Sequence, residues 1–117
     1  MIGVAWNATH HGVPFYAGAT ELLARLVALD MFIQVQVEHD QLAALAPMLE
    51  RSGARILIDH CGRPTPGAGV DQPGFRAVLA LAATRRAFIK LSGIAMFTRE
   101  PFPHADARSY IDALLAA

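Results

Sequence analysis

The chain has 117 residues, 54% of them hydrophobic, which suffices for one buried core and is too apolar for a disordered segment. Ten Lys and Arg offset ten Asp and Glu, so the totals carry no electrostatic footprint for nucleic acid or an anionic membrane. A single Cys excludes an internal disulfide framework, no signal-peptide pattern opens the chain, and polar residues interrupt every apolar stretch before the roughly 18 residues of a membrane span; a cytoplasmic setting is expected.

Ile2 to Trp6 reads as a short strand, followed by a loop from Asn7 to Gly12 that is rich in turn formers and histidine. Thr20 is expected to cap an amphipathic helix on which Leu22, Leu23, Leu26, Val27 and Leu29 recur at helical spacing, with Glu21 and Arg25 on the other side. Met31 to Glu38 alternates: Ile33, Val35 and Val37 on one face, Gln34, Gln36 and Glu38 on the other, the period of a strand. Asp40 is placed to cap a short helical stretch carrying Leu42 and Leu45. Pro47 then reads as the first residue of a second segment ending near Gly53, so a bent connection is expected. Arg55 to His60 forms a third strand that stops at Cys61-Gly62-Arg63-Pro64 and enters a Pro/Gly-rich loop through Gly69. Pro73 starts a helix with Phe75, Val78, Leu79 and Ala82 on one face; Ala87 to Ser92 reads as a fourth strand closing at Gly93. A last helix runs from about Asp106 to Ala117 with Tyr110, Ile111 and Leu114.

This βαβ alternation repeats about every 25 to 32 residues, near the roughly 30 residues per unit of an eight-unit barrel, and it fits an open doubly wound sheet as well. The polar residues decide between them. Strands covered by helices on both faces should be apolar on both, yet the second strand presents Gln34, Gln36 and Glu38 on one side and the fourth sets Lys90 and Ser92 opposite Ile89 and Leu91. A barrel, whose inward faces approach an active-site mouth at the carboxyl ends of the strands, explains that asymmetry. The expected fold is α/β, a partial (β/α)8 TIM barrel of parallel strands.

With the polar side inward, the terminal residues Asn7, Gln36 or Glu38, His60 and Ser92 would converge from four successive strands, where they can hydrogen-bond a polar substrate, position a water or bind a metal. His60 reads as a metal ligand, a general base or a hydrogen-bonded structural histidine. Lys90 orients a substrate carboxylate or pairs with Glu38, and the glutamines form either a mutually satisfied ladder or substrate contacts. Cys61 and His60 are neighbours in an extended chain and face opposite ways, which speaks against a Cys/His nucleophile. Arg63 and Arg99 read as anion clamps or as ordinary surface residues, while His10 and His11 read as a surface loop.

Five segments carry a family resemblance: Gly3-Val4-Ala5-Trp6-Asn7, Phe32-Ile33-Gln34-Val35-Gln36, Ile58-Asp59-His60-Cys61-Gly62-Arg63-Pro64, Asp71-Gln72-Pro73-Gly74-Phe75 and Lys90-Leu91-Ser92-Gly93. In these the chain resembles the amidohydrolase-related family of TIM-barrel metal-dependent hydrolases, in its 2-pyrone-4,6-dicarboxylate lactonase-like branch. The resemblance implies that residues 1–117 form one incomplete barrel domain, the third to sixth units. It matches His60 to the family's histidine at the end of the fifth strand, a metal ligand in metal-dependent members and a substrate contact in the metal-free lactonase. A divalent metal such as zinc is thereby implied for the complete enzyme. The family's His-x-His pair and catalytic Asp have no counterpart in this sequence.

Ala5 stands where lactonase-like relatives tend to carry Arg, and the Arg that often follows the KLSG-like motif is displaced to Arg99 or lost, both of which weigh against a dicarboxylate lactone. The expected activity is hydrolysis of a small lactone or amide-like substrate, with His60 catalytic or metal-binding and Asn7, Gln36, Lys90 and Ser92 binding substrate. A decarboxylase of the same superfamily is the enzymatic rival, and a catalytically inert truncated chain the other alternative. The expected partner is a small-molecule substrate. Self-association through open sheet edges is also expected.

Overall fold

A computed structural model describes residues 2–117. Four parallel strands lie in sequence order: β1 (Gly3–Asn7), β2 (Phe32–Gln36), β3 (Arg55–Ile58) and β4 (Ala87–Ile89). Their register sets Val4 beside Ile33, Ile33 beside Ile56, and Ile56 beside Ala87. Because strand side chains alternate, Ile33, Val35, Ile56 and Ile58 all face the helices and are buried, while Ala5, Gln34, Leu57 and Phe88 face the other way and stay partly or largely exposed. One covered and one uncovered face is the arrangement of a barrel segment, as the polar alternation implies.

The helical layer holds α1 (Ala8–His11), α2 (Thr20–Ala28), α3 (Gln41–Ser52), α4 (Pro73–Ala83) and α5 (Arg108–Ala116). No described helix is long and apolar enough to cross a membrane. Leu23 and Leu26 of α2, Leu42, Leu45 and Leu49 of α3, and Val78 and Leu81 of α4 pack on the covered face as one core. A second cluster joins Cys61, Phe75, Phe97, Ala107 and Tyr110.

Several local expectations are corrected. Residues 8–16 are not an irregular loop: α1 is followed by a 3-10 turn, Val13–Tyr16. Thr20 is the first residue of α2 rather than its cap, the cap position being Ala19 without a side-chain bond. Asp40 does precede α3, but its carboxylate accepts the Gly74 N–H at 2.8 Å instead of capping. Pro47 sits inside one continuous helix and does not divide it. A helix-interior proline costs about 3 kcal/mol. Leu42, Leu45 and Leu49 bury fully on both sides of it, each gaining roughly 1.5–3 kcal/mol, and Pro47 lies on the exposed face. β3 and β4 also end earlier than expected, at Ile58 and Ile89.

The loop from Arg63 to Gln72 is tied down by a polar node. Buried Gln72 accepts the Thr65 N–H at 2.7 Å and donates to the Gly69 carbonyl at 2.8 Å and the Thr65 carbonyl at 3.2 Å. The Tyr110 hydroxyl of α5 accepts from Gly69 N and Gln72 Nε2 at 3.1 and 3.2 Å. At Gly74 a side chain would run onto the His39 carbonyl oxygen, so glycine lets the start of α4 press against the β2–α3 connection. Replacing Gln72 by Ala strands the Thr65 N–H and should cost about 1–3 kcal/mol in urea unfolding, and Tyr110→Phe about 1 kcal/mol. An unchanged midpoint for Gln72→Ala would show that the loop does not depend on this node.

Candidate active site at the strand ends

Counting from Gln34 and Gln36, the inward parity of β3 falls on Leu57 and then Asp59, not on His60. The structure confirms that count, because Gln34 Nε2 donates to Asp59 Oδ2 at 2.6 Å. After Asp59 the backbone changes hand. His60, Cys61, Gly62 and Arg63 all have positive φ, at 52°, 56°, 75° and 44°. Three of them are not glycine, and left-handed conformations cost such residues about 1–2 kcal/mol each. Backbone bonds offset the strain: Cys61 N–H donates to the Lys90 carbonyl at 3.1 Å, Gly62 N–H to Asp59 at 2.9 Å, and Arg63 N–H to His60 at 2.9 Å.

This turn carries His60 toward the segment that follows β4. His60 Nδ1 lies 2.9 Å from Ser92 Oγ. Ser92 itself is off the strand, its N–H turning back to the Lys90 carbonyl at 3.0 Å, so the expected alternation through Ser92 does not hold and Leu91 becomes exposed. Next to it, Gly93 has φ 66°, and a β-carbon there would lie 2.7 Å from His60 Nδ1. The glycine leaves the imidazole room to sit against the backbone. With Nδ1 engaged by Ser92, Nε2 is the nitrogen left for other chemistry.

Asp59 is 4% exposed, and burial of a carboxylate is costly unless it is paired. One oxygen has the Gln34 amide. The other, Oδ1, lies 3.5 Å from Lys90 Nζ, close enough for an ion pair and too long for a hydrogen bond, so it is buried with coulombic compensation alone. Lys90 is half exposed and pairs with Asp59; the expected pairing with Glu38 is not made, since Glu38 is 3.3 Å from Arg63 NH2. Asp59 was not singled out from the sequence. The signal lies in the lone acidic residue after the apolar run Ile56 to Ile58, in phase with Gln34 and Gln36.

Asn7 and Gln36 stand side by side at the carboxyl ends of β1 and β2. The Asn7 carbonyl oxygen is occupied locally, accepting from His10 N–H at 3.1 Å and Thr9 Oγ1 at 2.6 Å. The structure therefore brings together His60 with Ser92, and Lys90 with Asp59 and Gln34, whereas Asn7 and Gln36 share only the same end of the sheet. Cys61 is fully buried, and burial raises its thiol pKa above the ordinary value, against a smaller lowering by a backbone hydrogen bond at Ser92. That environment makes it inert rather than nucleophilic.

No group of three or more His, Cys, Asp or Glu side chains converges among the described residues. His60 could supply one ligand through Nε2, but Asp59, its neighbour in sequence, already has an ammonium group beside it. These residues do not by themselves fit a metal ion.

Four parallel βα units in sequence order, with polar groups at the strand carboxyl ends, form part of a (β/α)8 barrel, and sequence comparison gives it a family. The amidohydrolase family model matches residues 1–117, so the chain belongs to the amidohydrolase family. It is 31% identical over 99 residues to a 4-sulfomuconolactone hydrolase of Rhizobium radiobacter, covering 81% of this chain and 33% of that protein. The same identity holds over 88 residues with the 4-sulfomuconolactone hydrolase of Hydrogenophaga intermedia, covering 72% and 29%. A crystal structure from Pseudomonas putida, provisionally described as a 2-pyrone-4,6-dicarboxylic acid hydrolase, superposes with a TM-score of 0.69 at 32% identity over 81% of this chain and 35% of that one. One from Acinetobacter baumannii with a similar provisional description, solved with citric acid bound, gives 0.82 at 22% identity over 99% and 44%, a likeness of fold. The chain spans about a third of the length of the lactone hydrolases it matches.

Two outcomes test this geometry. Gly93→Ala should push the imidazole off Ser92 and shift the His60 ring resonances in a nitrogen-correlated spectrum; unchanged resonances would contradict the close packing. Cys61 should resist alkylation in the native chain and react once urea unfolds it, whereas fast native labelling would place the thiol outside the core.

Proposed function

We propose that this chain contributes part of the active site of a hydrolase acting on a small lactone that carries an acidic group. The observation that carries the reading is the His60–Ser92 pair at the carboxyl ends of the strands, 2.9 Å apart in a strained turn. Hydrolysis of a lactone adds water to the ring carbonyl and breaks the acyl carbon–oxygen bond. In this proposal His60, held by Ser92, positions the water or takes its proton through Nε2. Lys90 orients the acidic group, with Asp59 and Gln34 fixing the lysine, and Asn7 and Gln36 supply further polar contacts. The likeness to two lactone hydrolases supports the reaction class. Ala5 favours a substrate other than a dicarboxylate lactone.

A divalent metal such as zinc would need its remaining ligands from segments outside these residues. The proposed setting is the cytoplasm, where a lone reduced thiol such as Cys61 persists. In a protein carrying the remaining barrel units, His60→Ala should lower kcat by about a hundredfold or more with the circular dichroism spectrum unchanged. A variant that keeps its rate would remove His60 from the mechanism.

A further inference from the structure

Three residues of the left-handed turn, His60, Cys61 and Arg63, carry β-carbons that resist positive φ, so the turn persists only where its surroundings hold it. On the helical side it is held twice. Cys61 is fully buried beside Phe75, Phe97 and Tyr110, and Gly62 packs so closely on α4 that a β-carbon there would lie 2.5 Å from Val78 Cγ2. On the inward side the anchor is Asp59. Its main chain is fixed by the Val35 carbonyl, which accepts its N–H at 3.0 Å, and by the Gly62 N–H, which donates to its carbonyl at 2.9 Å. Its buried carboxylate reaches both flanking strands, accepting from Gln34 of β2 at 2.6 Å and pairing at 3.5 Å with Lys90, which directly follows β4.

His60 is the one residue between these two anchors. Lys90 enters the same arrangement through its carbonyl, which accepts the Cys61 N–H at 3.1 Å and the Ser92 N–H at 3.0 Å. A single residue therefore meets the neighbour before His60, the neighbour after it and the serine that faces its ring. The imidazole lies 2.9 Å from Ser92 Oγ and against Gly93, where a β-carbon would come within 2.7 Å of Nδ1. A shift of either anchor moves the ring out of that fit.

We infer that Asp59 is a positioning residue for His60: its carboxylate clamps the start of the left-handed turn to Gln34 and Lys90, and so holds the imidazole against Ser92. The effect reaches the ring through the backbone, since the partners of the carboxylate are the Gln34 amide and the Lys90 ammonium. The inference deepens the proposed role of His60 and rests on that reading only for its effect on rate.

In the full chain, Asp59→Asn keeps the shape of the side chain and removes its charge. It should move the ring-nitrogen resonances of His60 toward those of Ser92→Ala, in which the pair is broken outright. Gln34→Leu removes only the amide; it should move them the same way by less, and it provides the test where Asp59→Asn fails to fold. In a protein carrying the remaining barrel units, Asp59→Asn should lower kcat by about tenfold or more, the scale of a displaced catalytic group. His60 resonances that stay in place in the folded variants would overturn the inference. A kinetic effect confined to KM would overturn it as well, because Asp59 would then act on substrate through Lys90 alone. Displaced resonances with an unchanged kcat would uphold Asp59 as the anchor and remove His60 from the reaction, so the two readings fail separately.

Discussion

The site depends on the point after Asp59 where the chain turns left-handed. Until that point β3 is an ordinary strand whose alternate residues face the helices or the inward side. Four positive-φ residues then change the direction of the chain without ending its pairing, because the Cys61 N–H still reaches the Lys90 carbonyl. The consequence is a division of labour between neighbours. Asp59 keeps the inward position and meets Gln34 and Lys90, His60 reaches Ser92, Cys61 enters the core, and Arg63 meets Glu38. An extended chain could not place these four residues in four surroundings, since it offers only two faces.

Electrostatics sharpen the same picture. Asp59 is a buried acid whose two oxygens see different neighbours, an amide on one side and an ammonium on the other. Removing either neighbour would leave a buried charge less compensated, whereas removing the acid would release Lys90 from its only ion pair among the described residues. The arrangement leaves Lys90 a half-exposed cation beside a buried carboxylate.

The alternation of Ile33, Val35 and Val37 with Gln34, Gln36 and Glu38 was enough to read a half-covered sheet, and with it a barrel segment, directly from the residues. The apolar spacing likewise located α2, α3 and α4. What the residues did not reveal was set by tertiary contact: Pro47 is accommodated because the leucines around it are buried, and Asp40 leaves its cap for the Gly74 amide. At the site, period-two counting was sound only while the backbone stayed extended. Counted from Gln34 and Gln36 it falls on Asp59; taking the strand to its last residue instead points to His60 and carries β4 through Ser92, because no local signal in Ile58-Asp59-His60-Cys61 announces a change of backbone hand. The family resemblance drew attention to His60 by a separate route, and it gave no hint of Asp59.

The Tyr110 hydroxyl has a thermodynamic consequence. It belongs to α5, yet it sits among Gly69, Gln72 and Thr65, in the loop that leaves the turn containing His60. Fraying of α5 must therefore withdraw an anchor from that loop, and any ligand that orders the loop must in turn favour the docked helix. Through this hydroxyl, α5 and the loop that leaves the turn containing His60 are tied together.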